Sequence, residues 1–209
     1  MDPRQFGMKT IEGTWQGVGR LVYLAHAFFR PHGETGKHFH DNIDIVSVMT
    51  RGSIFHKGTL GDGETVSENE VQVQWSGPEG FHHNEINPLD NISGMVQIWM
   101  QPCKETKASA RHQTISITPG YTPIMHEGDT LLGIVMMTEK GSWQPTDSDQ
   151  EQLIYVFDGD VTAICHDRQQ AFPAPRGTLI KGNRFSLKHE SPCQWLWVRE
   201  CPLNDEPLS

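Results

Sequence analysis

Cysteine is scarce in this chain: Cys103, Cys165, Cys193 and Cys201 are the only four among 209 residues, and none forms a C-x-x-C pair. That excludes a disulfide scaffold and leaves them as small buried apolar residues in a reducing compartment. Basic residues are the minority, 17 Lys and Arg against 26 Asp and Glu for a net charge of -9. A basic footprint for nucleic acid or anionic lipid is therefore missing. Long apolar runs are missing too. No stretch approaches the roughly 20 residues that span a bilayer. The opening MDPRQFGMKTIEG has no apolar run after its charge, so it does not read as a secretory signal, and a cytoplasmic location is expected. Helical periodicity with caps is also wanting; residues 104–113 are the one stretch open to a short helix.

What the chain has is turns and alternation. Twenty Gly and 13 Pro punctuate period-two apolar runs such as IDIVSVM at 43–49, VQVQW at 71–75, MVQIWM at 95–100, LIYVF at 153–157 and WLWV at 195–198. Many short strands between Gly and Pro turns point to an antiparallel sandwich or barrel. A weak internal repeat organises them. With Gly52 placed on Gly159, an offset of 107, DIVSVMTRGSIF lies over EQLIYVFDGDVT, so each copy is strand, Gly turn, strand. The expectation is an all-β protein of two similar domains, 1–104 and 105–209, with little helix.

Eleven histidines are many for this length, and they are unevenly spread. His38 and His40 form an H-x-H in extended, Gly-flanked sequence. Gly80-Phe81-His82-His83-Asn84-Glu85 follows some forty residues later. Residues i and i+2 of a strand share a face, so each segment can present two ligands to one ion. His83 shares its face with Glu85, which places His82 outward. Three imidazoles and a carboxylate suit a divalent first-row metal and leave positions open for water, substrate or dioxygen, as catalytic sites do. A surface histidine pair is the plainer reading of either segment taken alone. Asp44, on the face of His40 if the strand is unbroken, is a candidate acceptor for an imidazole N–H. Trp75 is a candidate pocket floor or a core residue. His126, His166 and His189 stand without a second histidine, and Glu151 has no histidine pair near it.

These residues resemble the cupin superfamily. The first cupin motif, G-x(4–5)-H-x-H-x(3–4)-E-x(6–7)-G, is matched by Gly33, His38, His40, Asp44 and Gly52, with Asp where Glu is usual. The second, P-x-G-x-x-H-x-x-x-N, is matched by Pro78, Gly80, His83 and Asn87. Within that superfamily the chain is similar to pirin and the bacterial pirin-like proteins. HFHDNID and GFHHNE stand where those carry HPHR…E and G-x-x-H-S-E, and EINPLDNISGMVQIWMQP follows their N-P turn and Q-x-W strand. Fewer residues precede the H-x-H here than in typical pirins, and the second copy has neither H-x-H nor H-x-E.

The resemblance implies two tandem cupin barrels, a bicupin with its metal site in the first and a degenerate, metal-free second. It implies His38, His40, His83 and Glu85 as ligands of one divalent ion, Fe(II) first, with Ni, Cu, Mn or Zn as alternatives. It also implies a quercetin 2,3-dioxygenase type of reaction on a flavonol or similar enolic aromatic and dioxygen, with Glu85 as the catalytic base. His56 falls where pirins often carry a histidine, near the pocket. Two other readings stay open: a metal-bearing regulatory protein that binds a protein partner without turnover, as eukaryotic pirin does, and a cupin isomerase on a small keto or sugar-like substrate. The isomerase would need basic residues at the pocket, and Arg51 and Lys57 are the nearby candidates.

Overall fold

A computed structural model describes residues 4–6, 17–103, 108–145 and 149–201. The chain divides into two compact units, Met1–Ser116 and Ile117–Ser209. Each is built of antiparallel sheets, and the described residues have the all-β, two-domain fold expected of a bicupin. No helix occurs among the described residues, so none is long and apolar enough to cross a membrane.

The first unit holds β1 (Arg4–Phe6), β2 (Leu21–Phe29), β3 (His38–His40), β4 (Asp44–Arg51), β5 (Ser53–Gly58), β6 (Thr65–Ser67), β7 (Glu70–Trp75), β8 (Phe81–Ile86), β9 (Ser93–Met100) and β10 (Arg111–Ser116). One sheet runs β1-β2-β9-β4-β7-β10 and a second β3-β8-β5-β6. The second unit holds β11 (Gly120–Glu127), β12 (Thr130–Met137), β13 (Gly141–Trp143), β14 (Gln152–Asp158), β15 (Val161–Cys165), β16 (Gln170–Ala174), β17 (Leu179–Gly182), β18 (Phe185–His189) and β19 (Cys193–Glu200). Its sheets run β11-β12-β19-β14-β17 and β13-β18-β15-β16. The order is that of the first unit, with no counterpart of β10 among the described residues.

Two stretches differ from the sequence expectation. Residues 111–113, open to a short helix on sequence, belong to β10, while 104–107 lie outside the described residues. Arg111–Ser116 pair residue for residue with Trp75–Glu70 of β7, so this strand is part of the first unit although it follows 104.

The repeat has a physical anchor in its two glycines. Gly52 joins β4 to β5 and Gly159 joins β14 to β15, both at φ +68. A Cβ on Gly52 would lie 2.7 Å from Ser93 Oγ, and one on Gly159 2.6 Å from the Pro192 carbonyl oxygen and 2.7 Å from Cys193 Cβ. Both the left-handed backbone and the close approach to the next strand demand glycine.

Inward faces make the cores. Phe29, Met49, Ile54, Val66 and Met95 cluster in the first unit. Ile154, Val156, Leu187, Trp195 and Trp197 belong to the larger cluster of the second. Burying each such side chain contributes on the order of 1.5–3 kcal/mol. None of the four cysteines is in a disulfide; Cys193 and Cys201 are buried and the other two half-buried.

Candidate metal centre

β3 and β8 are short, and their register sets the site. His38 stands opposite His83 and His40 opposite Phe81. Along β8 burial alternates, with Phe81, His83 and Glu85 inside and His82, Asn84 and Ile86 only half covered. His82 lies on the other face, where its ring meets that of Phe39 at 4.7 Å.

The three inward imidazoles converge through one nitrogen each. Nε2 of His83 is 2.9 Å from Nε2 of His38 and 3.0 Å from Nε2 of His40. The rings meet edge to face, with centroids 4.5–4.8 Å apart. The opposite nitrogens of His38 and His83 are engaged elsewhere. His38 Nδ1 donates to the Gly36 carbonyl at 2.8 Å, and His83 Nδ1 donates to Gln74 Oε1 at 3.0 Å. Both Nδ1 atoms therefore carry protons, and both Nε2 atoms present lone pairs. Two lone pairs 2.9 Å apart form no hydrogen bond; they satisfy one another only with a cation between them. The donor set fits a divalent metal.

Protonation agrees with that fit. Burial, followed by the neighbouring His38, lowers His40 from 6.5 to about 4. Burial, followed by His40, His38 and His56, lowers His83 to about 2. Both stay neutral at pH 7, the state a metal ligand needs.

Glu85 is on the same face as His83 but stands outside the group of ligand atoms that lie within 4.8 Å of one another. Its Oε1 accepts from the Ser47 hydroxyl at 3.3 Å and its Oε2 from the Gln97 amide at 3.1 Å. Burial raises this carboxyl from 4.5 to about 7 against the pull of those two bonds.

The remaining sequence candidates separate. His56 is fully buried, its ring 5.4 Å from that of His83. Asp44 does not continue the strand of His40. β3 ends at His40, Asn42 turns at φ +54 and β4 begins at Asp44 in the other sheet. On β4, Asp44 has the opposite parity to Ser47, and it accepts from the Ser76 backbone N–H at 2.9 Å. Trp75 has the opposite parity to Gln74 on β7, and its ring carries the Arg111 guanidinium at 4.2 Å. Arg51 and Lys57 are exposed.

Sequence reasoning missed Gln74, Ser47 and Gln97, and with them the aromatic pair of Trp99 and Tyr23. Trp99 lies 5.5 Å from the His40 ring and 4.6 Å from Tyr23. Its indole N–H donates to Gln97 Oε1 at 3.2 Å. The signal for the glutamines was present in VQVQW, where Gln alternates with apolar residues in a buried strand, and in the single Gln97 inside the apolar MVQIWM.

Residues 23–100 match the Pirin family model. Over that stretch the chain is similar to pirins. Over 68 residues it is 31% identical to the quercetin 2,3-dioxygenase of Escherichia coli, a match covering 32% of this chain and 29% of that protein. Over 66 residues it is 35% identical to a pirin-like protein of Caulobacter vibrioides, covering 31% and 28%. The matched stretch thus spans under a third of these curated relatives' length. The crystal structure of bacterial pirin YhhW from Escherichia coli, in complex with nickel(II), superposes on this chain with a TM-score of 0.77. It covers 95% of this chain and 91% of that one at 17% identity, a likeness of fold.

Proposed function

We propose that the first barrel binds one divalent first-row metal through His38, His40 and His83, with Glu85 as fourth ligand, and acts as a dioxygenase on flavonols such as quercetin. The convergence of three Nε2 atoms, two of them on rings whose Nδ1 protons are already engaged, carries this reading. Fe(II) is the first metal to test; nickel(II) is the ion in the similar YhhW structure. When bound, the metal supplies a Lewis acid and a redox partner for the flavonol oxygens and dioxygen.

The chain's own residues supply the rest. Glu85, on the inward face of β8 with His83, is suited to take the flavonol 3-hydroxyl proton on Oε1 or Oε2. Ser47 and Gln97 hold those oxygens and keep the carboxylate from turning away. Trp99 and Tyr23 offer an aromatic wall beside His40, against which a planar ring system can lie. The second barrel, in this reading, carries no metal. Flavonol and dioxygen are the partners proposed, and the reaction needs no protein partner.

The test is metal analysis of the purified protein together with dioxygen uptake on quercetin. One metal per chain and turnover that falls at least tenfold in Glu85→Gln is the expected result. One metal per chain without turnover on any flavonol would refute the dioxygenase reading and leave the metal site standing.

A further inference from the structure

Most of the second barrel's interior is filled by its aromatic cluster, but the flank beside β17 is not. The repeat shows why. With Gly52 on Gly159, His56 of β5 falls on Ala163 of β15, and Ile45 and Ser47 of β4 fall on Gln152 and Ile154 of β14. Their partners on the next strand correspond in turn, so Gln74 and Gln72 of β7 fall on Gly182 and Ile180 of β17. In the first barrel His56 and Gln74 meet at 3.3 Å, and β10 runs along the outer edge of β7. In the second barrel a methyl group replaces the imidazole and a hydrogen replaces the amide side chain. No strand lies beyond β17 among the described residues.

These two reductions leave a cavity of about 370 Å³. A Cβ built on Gly182 would meet nothing within 4 Å. Ala163 and Phe185 from one sheet and Ile180 from the other make its inner wall apolar. Phe172 stands at the rim and is 47% exposed, one of three large apolar side chains so exposed among the described residues. Arg168, exposed as well, lines the same rim. The other charges there are engaged with acidic or basic neighbours: Lys181 with Glu151 at 3.3 Å, and Arg184 with Asp149 at 2.6 Å and Asp167 at 3.5 Å. Arg168 has no ion pair among the described residues.

The volume is that of a small-molecule site, and the lining divides a ligand in two. An apolar wall with an exposed aromatic ring at its edge suits a flat ring system. A guanidinium fork suits a carboxylate, which it can hold through two parallel hydrogen bonds. We propose that the second barrel binds an aromatic carboxylate in this cavity, its rings against Ile180, Phe185 and Phe172 and its carboxylate on Arg168. The site is separate from the histidines of the first barrel and does not depend on a metal there.

The experiment is calorimetric titration of the purified full chain with 1-naphthoate, with 1H–15N spectra recorded at saturation, on wild type, Arg168→Ala, Phe172→Ala and Ala163→Leu. The expected result is one equivalent bound, with the largest amide shifts at Ala163, Cys165, Ile180 and Phe185. Affinity should fall about 10–100-fold in Arg168→Ala and about tenfold in Phe172→Ala. Ala163→Leu should abolish binding, because its added side chain takes the space of the rings. No binding of 1-naphthoate, shifts centred on His40 and Trp99, or wild-type affinity in any of the three variants overturns the inference. Equal affinity for the uncharged 1-naphthalenemethanol also overturns it. Arg168 and Phe172 are exposed, so their variants decide the matter even if Ala163→Leu fails to fold.

Discussion

In the first barrel His38 faces His83 across β3 and β8; in the second, Gly141 faces His189 across β13 and β18. The sheets have the same order, so the strands correspond one to one. With Gly52 on Gly159, Gly58 and His56 of β5 fall on Cys165 and Ala163 of β15, so the places of their partners His83 and Glu85 are taken by Phe185 and Leu187. Trp143 packs against Trp195 and Trp197 with ring centroids at 5.4 and 5.2 Å. Ser47 and Gln97, which face each other and hold Glu85, correspond to the facing pair Ile154 and Trp197. His189 is buried and neither ring nitrogen has a hydrogen-bond partner among the described residues.

The second barrel teaches what this fold requires. Apolar and aromatic residues fill the equivalent space and complete a core there. The inward histidines, glutamines and carboxyl of the first barrel are thus a departure from what packing alone favours. Burying them is unfavourable unless each is hydrogen-bonded or ligates something, and such perturbed groups gather where chemistry is done.

The comparison can be broken most sharply by moving the histidines. His83→Ala should abolish metal binding, whereas His189→Ala should leave the full complement. Elemental analysis of both variants checks this, and loss of metal in His189→Ala would mean that the second barrel contributes a ligand. The reverse asymmetry should appear in Trp195→Ala, which empties the core of the second barrel. It should cost about 3–5 kcal/mol in denaturant unfolding while nickel(II) affinity stays unchanged.

A third test uses protons. In the metal-free protein His40 and His83 are held below the ordinary 6.5, so the unfolded chain binds protons that the folded one refuses. Stability should fall as pH drops from about 6.5 toward 4. Glu85 acts in the opposite sense. Its carboxyl is raised from 4.5 to about 7, so the stability it confers when protonated is lost as pH rises through that window. The histidines outnumber it, and the net loss between pH 6.5 and 4.5 should be on the order of 2 kcal/mol. Glu85→Gln removes the opposing contribution and should steepen the fall, as unfolding at the two pH values would reveal.

The smallest effect concerns the edge strand β10, which has no counterpart among the described residues of the second barrel. On β10, His112 Nε2 pairs with Glu64 Oε1 at 2.8 Å and the Thr114 hydroxyl donates to Glu64 Oε2 at 3.2 Å. Both partners are partly exposed, so Glu64→Gln should cost under about 1 kcal/mol. A larger loss in thermal unfolding would make this contact a closure of the first barrel rather than a trim on its edge.

Much of this was legible residue by residue. Alternation alone marked the strands, and the shared parity of His83 and Glu85 sent His82 to the outer face, because side-chain direction in a strand is a local, period-two property. The equivalence of Gly52 and Gly159 was legible because a left-handed turn against a neighbouring strand admits only glycine. Asp44 and Trp75 were placed less well, for one reason. Parity counts only along an unbroken strand, and it does not say which of two buried faces meets the other sheet. The chain switches sheets between His40 and Asp44, and β7 turns Gln74 rather than Trp75 toward the histidines. The sequence by itself determined the two-barrel β architecture, the inward histidines and the barrel that holds them. The tertiary structure alone decided that three Nε2 atoms meet, that Ser47 and Gln97 hold Glu85, and that Gln74 joins His83 to His56. Those contacts join strands far apart in the chain, and only the packing of one sheet on another sets their distances.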